Sequence, residues 1–222
     1  MSLESRKSTA LEDPGAQMVD QLTSVWQRYG RIALGVLGAI VVVAGVAYYT
    51  IQQNRTQDNL ASKKLAEADM MFWQGDYDHA KSSADAVAKT YGSTPSGVDA
   101  HRISGDASFW RGDFKGAITE YKAYLSRNGK GVIAQSVRRS LAYALDSDRQ
   151  YAEAVKLYDG LVGVFDRETS SEMLSASARC LLETNDKAGA IQRLKRIADE
   201  FGETSTAQTA RVRVAELGAP VD

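Results

Sequence analysis

Phe72-Trp73-Gln74-Gly75-Asp76-Tyr77-Asp78-His79-Ala80 returns 37 residues later as Phe109-Trp110-Arg111-Gly112-Asp113-Phe114-Lys115-Gly116-Ala117. A fixed period in the thirties is the mark of stacked helix-turn-helix units, none of which buries its apolar face alone. The series continues through Tyr151-Ala152-Glu153-Ala154 and Lys187-Ala188-Gly189-Ala190, so Ala80, Ala117, Ala154 and Ala190 share one register. Four residues on stand Ala84, Tyr121, Tyr158 and Leu194; three beyond those stand Val87, Tyr124, Leu161 and Ile197. Offsets of four and seven lie on one helix face. The second helix of every unit therefore carries an apolar stripe, and a small residue where it meets the first helix. Ala68, Gly105, Ala142 and Ala178 supply the matching small position on the first helices.

This pattern resembles the tetratricopeptide repeat over roughly residues 61–202, with Gly75-Asp76-Tyr77 and Gly112-Asp113-Phe114 at its Gly-x-aromatic turn. Arg149 and Asn185 replace the glycine in the third and fourth units. Asn tolerates the left-handed conformation of a helix end, whereas Arg does so poorly. The early Trp and the closing Pro of the family are missing, Lys64 standing at the early Trp position of the first unit, and the units exceed the usual length of about 34 residues. The expectation is an all-α chain: about four TPR-like units, then a capping helix over Thr204 to Gly218, with Arg211, Arg213 and Glu216 on its polar outer face.

Arg31 and Arg55 bracket 23 uncharged residues, of which Ile32 to Ile51 are strongly apolar. As a helix those residues reach about 30 Å, the thickness of a bilayer core. Trp26 and Tyr29 at one end, and Tyr48 and Tyr49 at the other, suit the interfaces. Gly35, Gly38, Ala39 and Gly45 form a small-residue stripe where another membrane helix could pack. A cleaved signal peptide ending near Gly45-Val46-Ala47 is the rival reading, for which the preamble and apolar core are both long. Arg28 and Arg31 on one side, against Arg55, Lys63 and Lys64 on the other, leave orientation undecided by charge. The organisation expected is a flexible tail over 1–18, a juxtamembrane segment and transmembrane helix over 19–55, and a repeat domain over 56–222. Val19, Leu22, Trp26 and Tyr29 have the spacing of a short amphipathic helix on the membrane surface.

The chain has 222 residues, 44% of them apolar, and a formal charge of −1 from 27 basic and 28 acidic side chains. No basic stripe points to nucleic acid. The single cysteine, Cys180, allows no internal disulfide and reads as a small core residue. His79 and His101 fall in different units without metal-ligand spacing, and no phosphate loop, nucleophile elbow or zincin helix occurs. The expectation is no metal, no cofactor, no small-molecule substrate and no catalysis.

In this repeat type the first helix of each unit lines the concave face. That register places Asp69, Phe72 and Trp73 there from the first unit, and Arg102, Asp106, Phe109 and Trp110 from the second. The third gives Arg139, Tyr143 and Asp146; the fourth gives Ser175, Arg179 and Leu182. Trp73, Arg102, Asp106, Trp110, Arg139, Tyr143 and Arg179 are the candidate partner-binding residues, since aromatics and Arg supply most hot spots. The same Phe-Trp pairs could equally pack the elbows.

Trp26-x-x-Tyr29-Gly30 before one apolar helix, then Tyr48-Tyr49-x-x-Gln52-Gln53-Asn54 and a repeat domain, resembles the bacterial ancillary subunit of the Sec translocon. The resemblance implies a single-pass inner-membrane protein with a periplasmic repeat domain. Its partners would be proteins: translocated chains, periplasmic chaperones or membrane-complex subunits. A structural accessory subunit of a respiratory or photosynthetic complex is the other reading.

Overall fold

A computed structural model describes residues 14–220 of the chain. Nine helices occupy them: α1 Pro14–Trp73, α2 Tyr77–Tyr91, α3 Pro95–Trp110, α4 Phe114–Arg127, α5 Gly131–Ser147, α6 Tyr151–Leu161, α7 Arg167–Glu183, α8 Lys187–Glu200 and α9 Ser205–Glu216. No strand occurs among the described residues. The chain falls into two compact units, Met1–Arg55 and Thr56–Asp222, and α1 contributes to both.

Within the first unit α1 is long and apolar enough to cross a membrane, and none of its most apolar window is buried. Ile32, Leu37, Val41, Val43 and Ile51 are all exposed. Of the tail expected over 1–18, residues 1–13 lie outside the described residues and 14–18 are helical. Pro14 opens α1, a position where its missing N–H costs nothing. The helix is unbroken from there, so no turn separates the juxtamembrane segment from the apolar run.

The second unit is an all-helical TPR-like solenoid. The last part of α1 pairs with α2, α3 with α4, α5 with α6, and α7 with α8; α9 closes the stack. Its core follows the sequence register. Ala80, Ala117, Ala154 and Ala190 are fully buried, as are Ala84, Tyr121, Tyr158, Val87, Tyr124, Leu161 and Ile197, with Leu194 nearly so. Ala61, Leu65 and Ala68 meet Ala84, Val87, Ala100 and Ile103 at one end. A central cluster around Tyr121, Tyr124, Leu145, Tyr158 and Met173 continues the core. Leu174, Leu194, Ile197, Phe201, Ala207 and Val214 finish it under α9.

The turns inside the units explain why each helix stops where it does. Gly75 and Gly112 adopt φ of 82° and 80°, and Arg149 and Asn185 take the same left-handed conformation at 62° and 61°. Asp76, Asp113 and Asp186 then cap the following helices by accepting the N–H of His79, Gly116 and Gly189. Gln150, in the third turn, makes no such side-chain cap. Between units Thr94 and Asp166 cap α3 and α7 through the N–H of Gly97 and Thr169. Arg211, expected on the outer face of α9, is partly buried and donates to the Ala198 carbonyl at 3.4 Å. Gln208, Thr209, Val212, Arg213 and Glu216 form the exposed face instead.

Candidate functional site

The first helices of the units carry the candidate binding residues, and their surroundings differ sharply from unit to unit. Arg102 is held on both sides by its own helix. Its Nε and Nη2 donate to the two carboxylate oxygens of Asp99 at 2.9 and 2.8 Å, and Nη1 lies 3.5 Å from Asp106. The Asp99 bonds raise its pKa further above the ordinary range. Burial pushes the Asp106 carboxyl up, opposed by the Tyr121 hydroxyl donating at 2.7 Å and by Arg102. Asp69 acts electrostatically on both Arg102 and Asp106.

Trp73 and Trp110 end their helices in the open. The Trp73 indole N–H donates to Asp69 at 3.3 Å, and Trp110 stacks on Tyr77 with ring centres 6.2 Å apart and planes 17° from parallel. Phe72 and Phe109 instead fill the elbows, each 5.5 Å from the aromatic that opens the next helix, Tyr77 and Phe114. Sequence reasoning allowed both roles for the Phe-Trp pairs; the geometry divides them, phenylalanine inward and tryptophan outward.

Further along, Arg139 lies over the Phe165 ring at 5.1 Å and Tyr143 packs 5.8 Å from Tyr158. Arg179 is exposed and pairs with Asp146, which also accepts the Tyr158 hydroxyl at 3.2 Å. Asp146 thus works as a hub where the first two units have a phenylalanine. Beside Arg179 a cleft of about 200 Å³ opens between α7 and α9, lined by Ser175, Leu182, Leu194, Thr209 and Arg213 among others. The partners missed from sequence are Asp99, Tyr77 and Phe165, and Arg213, expected on the outer face of the capping helix, lines the cleft with Arg179. Tyr77 was legible from the repeated Gly-x-aromatic turn, and Asp99 from its i, i+3 spacing to Arg102.

Chemistry beyond binding finds little material. Among the described residues no group of His, Cys, Asp and Glu could hold a metal ion. His79 sits 2.8 Å from Asp76 at a helix cap, and His101 joins α3 to α4 through Glu120 at 2.7 Å. Cys180 is fully buried, and burial beside Asp146 pushes its thiol up to about 12, where no thiolate forms at neutral pH. In the first unit, Gly35, Gly38 and Gly45 lie where an added Cβ would meet nothing within 4 Å.

Residues 24–164 match the family model of the tetratricopeptide repeat-like domain. The chain belongs to that family. Its solved relatives agree on the fold. Two structures of a protein from Podosopora anserina, described as a kinesin light chain with nearly identical TPR-like repeats, are 15% identical. They superpose with TM-scores of 0.59 and 0.58 over 72% of this chain and 85% and 86% of theirs. A tetratricopeptide repeat protein from Parabacteroides merdae, also 15% identical, gives 0.60 over 71% of this chain and 60% of its own. No curated protein sequence matches. The TPR-like fold is generally a protein-interaction scaffold, and repeat proteins of this type are typically non-enzymatic.

Proposed function

We propose that this chain is a non-enzymatic protein-interaction module held at a bacterial inner membrane by residues 32–51, with its repeat domain on the periplasmic side. Its role is assembly or chaperone-type contact, with membrane-complex subunits or with translocated and periplasmic proteins. The observation that carries the reading is the row of Arg139, Tyr143 and Arg179 on successive first helices, of which Arg179 lines the open cleft with Ser175 and Leu182. Arginine and tyrosine on a rigid helical scaffold are well suited to binding an extended segment or a helix. The likeness of Trp26 to Asn54 to ancillary translocon subunits supports the membrane assignment and the choice of partners.

One feature favours a second reading, an accessory subunit of a larger membrane complex. Gly35, Gly38 and Gly45, in one stripe with Ala39, leave room for close helix approach, so the anchor itself could carry the main contact.

Native protein purified in mild detergent, with the co-purifying chains identified, separates the two. Arg102 is unsuitable for this test, because reversing its charge would leave Asp99 and Asp106 facing a third carboxylate. Arg139→Glu with Tyr143→Ala should release the partner, while Gly35→Leu with Ala39→Leu should not. The opposite result establishes the accessory-subunit reading, and retention by both variants rejects the groove. A reporter active only in the cytoplasm, fused after the last residue, should stay silent; activity there reverses the orientation.

A further inference from the structure

Trp73 and Trp110 are 78% and 62% exposed, although neither belongs to the apolar run of α1. They are not scattered. Phe72 lies 5.5 Å from both Trp73 and Tyr77, and Tyr77 stacks on Trp110, so the rings form one ledge across the first two units. The corresponding positions in the third and fourth units are Ser147 and Glu183, which confines the ledge to this end of the solenoid. Clustered exposed aromatic surface of this kind marks an interaction site rather than ordinary surface.

The charges beside it are unbalanced. Asp69, Asp99 and Asp106 interact with a single guanidinium, Arg102, so three negative charges and one positive leave −2 with all ionised. Arg111, the next cation along the chain, is already engaged with Asp78 at 2.7 Å. Asp69 connects charge to ledge directly, through its hydrogen bond from Trp73.

We propose that the Trp73–Tyr77–Trp110 ledge docks an extended partner segment that presents lysine or arginine side chains. The inference deepens the protein-interaction reading and rests on it. Indole faces attract cations through their quadrupole, and the three carboxylates give the same ligand a favourable field. An acidic segment would meet like charge, which is how such a surface rejects wrong partners. Burial raises the Asp106 carboxyl, and a bound cation relieves that cost.

The test uses the full chain in mild detergent and three short fluorescein-labelled peptides, alternating serine with lysine, glutamate or alanine. The lysine peptide should bind, more weakly as salt rises, and Trp73→Ala with Trp110→Ala should weaken it by roughly tenfold or more. Asp69→Asn should weaken it and flatten the salt dependence, with helical content unchanged by circular dichroism. Equal or tighter binding of the glutamate or alanine peptide overturns the proposal, and so does lysine-peptide binding that ignores the tryptophan variant. If sedimentation shows that the tryptophan variant loses self-association, a second copy occupies the ledge and the proposal fails. Loss of this inference alone would leave native partner capture sensitive to Arg139→Glu with Tyr143→Ala; loss of both would remove the interaction reading itself.

Discussion

Tyr121 reaches across the second unit to donate to Asp106 at 2.7 Å, and its ring does so by lying over Gly105. A Cβ on Gly105 would stand 2.7 Å from the ring carbons Cδ1 and Cε1. The third unit has a different solution at the same register. Ala142 occupies the small position there, and Tyr158 donates one turn further along the first helix, to Asp146 at 3.2 Å. The acceptor moves with the ring: where the second unit has Phe109, the third has the acid.

Gly105→Ala should therefore destabilise the solenoid by roughly 1–3 kcal/mol, despite alanine's better helix propensity, because the ring is fully enclosed and cannot yield without breaking its bond to Asp106. Chemical unfolding of the full chain in detergent checks this. Unchanged stability would mean that Tyr121 moves freely to a second position.

The helical register was legible because apolar periodicity and small residues act through local geometry, and all four second helices bury the residues the spacing selects. The candidate site was legible only in part. Position along a first helix says which residues can face the groove, but not which are already engaged. Arg102 and Arg139 occupy equivalent positions; one is clasped by Asp99 and Asp106, the other rests on Phe165 from a loop between units. That loop contact crosses from α5 to the segment before α7, a separation that periodicity does not encode.

Asp58 ties α1 to the start of α3 by accepting the Ser96 N–H at 2.9 Å, and this holds its carboxyl below the ordinary 3.8. A carboxyl lowered on folding contributes stability that is present above its unfolded pKa and is lost as pH falls through the folded value. Asp58→Ala should lower the unfolding temperature at neutral pH, and the difference from wild type should shrink to nothing well below pH 3.8. A difference that persists in acid would assign the effect to packing instead of charge.

Cys180 should resist alkylation in the folded protein. It is buried, with its thiol pushed up to about 12, and only the thiolate is strongly nucleophilic. Iodoacetamide at mildly alkaline pH should leave it unmodified by mass spectrometry until denaturant is added, after which modification should be complete. Rapid reaction without denaturant would show that α7 opens locally.

The third turn has both a left-handed non-glycine residue and no side-chain cap, and its sequence shows how to repair it. Arg149 holds φ of 62° where the first two units use glycine, and Gln150 leaves α6 without the side-chain cap that Asp76, Asp113 and Asp186 provide. A left-handed non-glycine residue costs about 1–2 kcal/mol, and the extra freedom of unfolded glycine takes back roughly half. Arg149→Gly should therefore add about 0.5–1 kcal/mol of stability. Gln150→Asp would offer a carboxylate to the Glu153 N–H, which already donates to the Gln150 carbonyl at 3.1 Å, so the gain stays below the roughly 1 kcal/mol of a full cap. It also loses the 2.7 Å bond that Gln150 donates to Asp148 and sets two carboxylates near each other, so its net gain should be smaller. Thermal unfolding of both single variants and the double variant checks the ordering: Arg149→Gly above wild type, and the double variant no less stable than Arg149→Gly. A destabilised Arg149→Gly would mean that the arginine side chain makes contacts in the turn that outweigh its backbone strain.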